Sequence, residues 1–181
     1  LVTQLANAFI DGGLKTGLID LEKGGLLSKD TVASIERNVT PANRKKLMVG
    51  HELEGDKIEA LKALAPHLDV VIVDSGSKLD QVTNSWVDQL RNEHPDTIWV
   101  IVFQRNAAKR LRGGASAEFD APVALETVRP DWSSHKLNYV KANKNRGNRT
   151  DQFYIMSTKK ITTTEPVPVE KKTEPAEPVT A

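Results

Sequence analysis

The chain has no cysteine, which excludes disulfides and thiolate metal sites but fixes no redox compartment. Its charges nearly cancel, with 25 Lys and Arg against 24 Asp and Glu. No global field therefore steers it towards nucleic acid or membrane, and electrostatic binding must come from local clusters. No run approaches the ~20 apolar residues that span a bilayer, and no signal-peptide pattern opens the chain. The expectation is a cytoplasmic protein without a membrane partner. His51, His67, His94 and His135 are scattered without paired spacing, so a histidine metal site is not expected.

What remains is enough for one good core: 181 residues, 39% of them hydrophobic. The opening stretch LVTQLANAFIDGG places Leu1, Leu5, Ala8 and Phe9 on one helical stripe, ended by Gly12 and Gly13. TGLIDLE (16–22) reads as a short buried strand, followed by a helix around 28–38 and the strand KLMVG (46–50). A helix near 55–66 precedes the β-branched run DVVIVDS (69–75). Helical spacing returns over 79–93, then TIWVIVF (97–103) is fully apolar, with Trp86 and Trp99 expected in the core. Unalternated apolar runs separated by helices predict an α/β fold whose mainly parallel sheet is flanked by helices. Beyond Arg112, APVALETVR, KLNYVKAN and DQFYIMS predict neighbouring antiparallel strands, with Trp132 in a turn. From Thr158 the chain is mostly Thr, Glu, Pro, Val and Lys, without an aromatic residue. Residues 158–181 are expected to be a disordered tail, leaving 1–157 as the folded domain.

Two strand ends carry carboxylates. Four β-branched residues deliver Asp74 to the carboxyl edge of a central strand, where open α/β sheets place ligands. Glu22 ends TGLIDLE in the same way. The duller reading of each is a cap on the following turn.

The order of the pieces is more informative than any one of them. The DLE strand end, the VVIVDS strand, a strand ending in Gln104 within WVIVFQRN, the segment RGGASAEFDAPVAL and the closing KANKNRGN together resemble the RecA-like ATPase core of recombinases and DnaB-type replicative helicases. The resemblance covers residues 1–157. It implies ATP and Mg²⁺ as cofactors, with Glu22 as the base that polarises the attacking water and Asp74 as the Walker B magnesium residue. Gln104 matches the sensor glutamine. Lys144 and Arg146 match the basic pair that a subunit extends into its neighbour's site, which implies a homo-oligomer, ring or filament.

In that family the helix matching residues 2–11 follows a GxxxxGK[ST] phosphate loop. No such motif occurs in these 181 residues, and the first residue is Leu1 rather than Met. The expectation is a core truncated just after its phosphate loop, lacking its first strand. The alternative is a non-catalytic RecA-like binding or assembly module that has lost the nucleotide cradle. Arg105, Lys109, Arg110 and Arg112 lie without an acid in QRNAAKRLRG, where RecA-like proteins carry a DNA-contacting loop. Flexible cations suit sequence-independent phosphate contacts, and the implied polymer is single-stranded DNA. Solvated loop charges are the competing reading for these residues and for the Lys144–Arg146 hairpin.

Overall fold

The computed structural model describes residues 1–79, 85–104, 121–131 and 133–166. Two compact units divide the chain, Leu1–Asp120 and Ala121–Ala181.

The first unit is α/β. Helix α1 (Val2–Asp11) leads into β1 (Thr16–Asp20), then α2 (Lys29–Asn38), α3 (Pro41–Arg44) and β2 (Met48–Gly50). Helix α4 (Lys57–Leu64), β3 (Val70–Asp74), α5 (Ser85–Glu93) and β4 (Ile98–Val102) follow. The strands form one parallel sheet in the order β2-β1-β3-β4. Capping side chains set where the helices start: Ser28 accepts from Thr31 N, and Asp56 accepts from Ile58 N and Glu59 N. Thr40 caps α3, with Pro41 in its first turn, where a missing N–H costs nothing.

Period-two alternation sends the strand side chains to two faces. Leu18, Val70 and Ile72 pack with Ala6 of α1 on one face. Ile19, Val71 and Val73 pack on the other with Ile58 and Leu61 of α4 and Trp86 and Leu90 of α5. Every residue of Val70–Val73 is fully buried, and burying each contributes about 1.5–3 kcal/mol. The parallel sheet covered on both faces thus matches the sequence expectation, as does the burial of Trp86. Trp99 lies partly buried beside the same cluster.

Helix α1 departs from its expected stripe. It buries Thr3, Ala6 and Ile10, while Ala8 is exposed. The physical reason is a polar partner: α2 lies alongside, and Thr3 Oγ1 hydrogen-bonds Ser34 Oγ at 3.0 Å and accepts from Asn38 Nδ2 at 3.2 Å. Asn43 extends this seam by donating to Asn7 Oδ1 and Asp11 Oδ1. An apolar-stripe rule is blind to a helix face satisfied by hydrogen bonds.

The second unit is an antiparallel sheet of β5 (Val123–Val128), β6 (Tyr139–Asn145), β7 (Phe153–Ile155) and β8 (Lys160–Thr162), paired in chain order. Tyr139 and Phe153 meet edge to face, with ring centroids 5.6 Å apart. Strand β8 corrects the expected tail. Residues 160–162 pair with β7, and the Tyr139 hydroxyl donates to Glu165. A short β-branched stretch, Lys160–Thr162, is enough to add a strand when β7 offers it a partner. Residues 167–181 and Trp132 lie outside the described residues.

Candidate functional site

Parallel pairing aligns the strand ends. Asp20 stands in register with Asp74, and Asp74 with Val102, so β1, β3 and β4 all finish at one edge of the sheet. Gln104 lies two residues past β4. Its Nε2 donates to Glu22 Oε1 at 2.6 Å, joining two side chains 82 positions apart in sequence. The structure therefore brings Glu22 and Gln104 together and sets Asp74 on the strand between them.

Glu22 itself is not on a strand. Strand β1 stops at Asp20, and Glu22 rides on the turn that follows. Asp20 shapes that turn. Its carboxylate is buried and accepts from Glu22 N at 3.2 Å and Lys23 N at 2.8 Å on Oδ1. On Oδ2 it accepts from Gly25 N at 3.3 Å and Thr31 Oγ1 at 2.6 Å. A carboxylate taken from water needs such donors, and here four supply them. Gly25 takes part because its φ is +56°, and a side chain there would reach 2.8 Å from His51 Cβ. Asp20 is not among the residues that the sequence alone singles out; Glu22 is. The only local signal was an Asp two residues before it, with a hydroxyl eleven residues on that only the fold brings near.

Asp74 is partly buried at the end of β3. Burial raises its pKa above the ordinary carboxylate value, and the negative charges of Glu22 and Asp20 add to the rise. Lys23 and the amino group of Leu1 pull the other way. The start of α1 thus lies within electrostatic reach of the same edge. Leu21 N donates to the Asp74 carbonyl at 2.7 Å, tying the Glu22 turn to β3 through the backbone. After Asp74 the chain turns under the end of β4, where Gly76 packs against Ile101 and Phe103.

The remaining predicted residues fall elsewhere. Lys144 lies in β6 opposite Ala124, and Arg146 follows the strand, its N–H donating to Pro122 O at 3.0 Å. Both belong to the second unit. Arg105, Lys109, Arg110 and Arg112 lie outside the described residues. Among the described residues there is no group of three or more His, Cys, Asp or Glu arranged to hold a metal ion. None of the described helices is long and apolar enough to cross a membrane. An open apolar groove of about 370 Å³ runs between β2 and α4, lined by Met48, Val49, Leu53, Ala60 and Leu64 among others. Neither Glu22, Asp74 nor Gln104 lines it.

No family model matches the chain, and no curated protein matches its sequence.

Proposed function

We propose that the first unit is the catalytic part of a RecA-like, ATP-driven DNA-processing motor of the helicase or recombinase kind, acting in the cytoplasm. The Glu22–Gln104 hydrogen bond beside Asp74 carries this reading. A general base, a side chain able to sense its state, and a carboxylate short of positive charge converge where an α/β sheet binds ligands.

Each residue then has a task. Glu22 takes a proton from water as the water oxygen bonds to the terminal phosphorus of ATP. The bond to the β–γ bridging oxygen breaks, and ADP and phosphate leave. Gln104 orients the Glu22 carboxylate and links it to the chain that follows β4. The donor set suits Mg²⁺, which keeps most of its water and takes one or two carboxylates rather than a closed cage. Asp74 would hold it through water, and the ion would neutralise charge on the phosphates. Burial, with the nearby charges of Glu22 and Asp20, raises Asp74's pKa, and a divalent cation would relieve it. Lys144 and Arg146 would complete the site of a neighbouring subunit in a ring or filament. Arg105, Lys109, Arg110 and Arg112 would contact single-stranded DNA.

The sequence contains no GxxxxGK[ST] motif, so this reading assigns no residue to the cradling of the phosphates.

The test is hydrolysis by the full-length protein. Glu22→Gln is expected to slow turnover by about 10²–10⁴-fold while nucleotide binding survives, because the shape stays and the base goes. Asp74→Ala should also weaken magnesium-dependent binding. Wild-type turnover by Glu22→Gln would overturn the reading. For the trans pair, Arg146→Ala should bind nucleotide yet fail to hydrolyse it as a homogeneous assembly; full DNA-stimulated turnover would exclude that role.

A further inference from the structure

Helix α2 turns an unusual face inward. Its residues at spacing i, i+3 and i+7 are Thr31, Ser34 and Asn38, and all three hydrogen-bond to other elements of the unit. Ser34 and Asn38 reach Thr3 of α1, the helix whose start lies near Asp74. Thr31 reaches Asp20, the carboxylate that gathers the amides of Glu22, Lys23 and Gly25. One helix therefore braces both the start of α1 and the turn that carries Glu22.

We infer that Thr31 and Asp20 form a clamp that positions Glu22 for proton transfer, a role resting on the catalytic reading given above. Glu22 is held at two points. Gln104 holds the carboxylate, and Asp20 holds the backbone from which that side chain springs. The Thr31 hydroxyl is the part of the clamp that crosses from β1 to α2, at 2.6 Å in a buried setting. Removing it leaves Asp20 with backbone amides alone, all from the turn it is meant to fix. That turn then loses its tie to α2 through this carboxylate and keeps the Leu21 N–Asp74 O bond and the Gln104 contact, so Glu22 is held less firmly. A base displaced by an ångström loses much of its rate while substrate binding, made by other groups, stays.

Thr31→Val keeps the shape of the side chain and deletes the hydroxyl; Thr31→Ser keeps the hydroxyl. In the full-length protein Thr31→Val is expected to lower kcat about tenfold with nucleotide KM within twofold of wild type, and Thr31→Ser to restore kcat to within twofold. A second measurement does not depend on turnover. Amide hydrogen exchange at Lys23 and Gly25 should quicken at least tenfold in Thr31→Val and not in Thr31→Ser. Glu22→Gln serves as the control. If it is inactive while Thr31→Val turns over and exchanges like wild type, the clamp is refuted and the catalytic reading stands. If Glu22→Gln itself retains full turnover, the catalytic reading falls and the positioning role falls with it. A matched fall of kcat in the Val and Ser variants would make Thr31 a packing residue and overturn the proposal.

Discussion

Strands β3 and β5 begin alike, each with a valine-led run, VVIVD against VALETV, and they end in different surroundings. Strand β3 is paired on both sides, covered on both faces, and buried along all but its last residue. Strand β5 lies at the edge of its sheet and alternates exposed with partly buried residues. The consequence for chemistry follows from the environment. In the parallel sheet, register gathers the strand ends and puts acidic groups where desolvation changes their behaviour, as at Asp74. In the second unit charged groups pair near solvent, as Lys141 does with Glu126 at 3.6 Å across the sheet, and as Arg149 does with Asp151 between β6 and β7. Carboxylates are thus desolvated at the strand ends of the parallel sheet and paired near solvent in the second unit.

That contrast can be broken most directly in the cores. Ile72→Ala, at a fully buried position, is expected to cost about 2–5 kcal/mol in a urea titration. Leu125→Ala, with 51% exposure, should stay within about 0.5 kcal/mol. Equal losses would mean that the two sheets are covered to the same degree. The carboxylates give the next largest separation. Asp20→Ala strands four donors and should cost about 1–3 kcal/mol, whereas Asp151→Ala, at an exposed ion pair, should leave the denaturation midpoint unchanged.

Asp74 sharpens the comparison through pH. Its native pKa is raised, so the native state holds this proton more tightly than the unfolded chain does. The associated stability is fully present below the unfolded value and is lost as pH rises through the raised native one. Asp74→Asn is therefore expected to melt above wild type at pH 7, with the gain shrinking as pH falls through the raised native value and gone below about pH 4. Differential scanning calorimetry across that range is the check. A gain that is flat with pH would mean that the charge is not the cause.

The smallest effect belongs to Tyr139. Burial, then its hydrogen bond to the Glu165 carboxylate, pushes its pKa up to about 12. Stability from the neutral phenol is complete below the unfolded value of about 10 and is lost as pH rises through 12. An ultraviolet alkaline titration should show a component near pH 12 that vanishes in Tyr139→Phe and moves down in Glu165→Gln. No movement in the Glu165 variant would untie residue 165 from the sheet.

Much of the first unit was legible because its signals are local. VVIVD and IWVIV are apolar runs of strand length, and Ser28 and Asp56 are capping residues placed before helical periods. Asp74 was legible for the same reason, as the polar end of a buried run. The rest depends on partners far along the chain. Nothing near Thr3 announces that Ser34 and Asn38 will satisfy it, so the apolar stripe read from the sequence of α1 includes the exposed Ala8. Asp20 read as an ordinary strand residue because its decisive partner is a threonine on the next helix. Strand β8 was hidden by the composition around it, since three residues cannot offset the Pro and Glu bias of their neighbours in a window average.

Position 76 holds a glycine between two packed segments. A methyl group there would stand 2.6 Å from Ile101 Cγ2 and 3.1 Å from the Phe103 ring, well inside the roughly 3.5–4.0 Å at which carbon atoms rest. The segment leaving Asp74 and the strand leading to Gln104 can lie this close only because one side chain is missing between them. The aperture of the carboxylate edge is set by an absence, and any larger residue at position 76 would act as a wedge, widening it from behind without touching a single charged group.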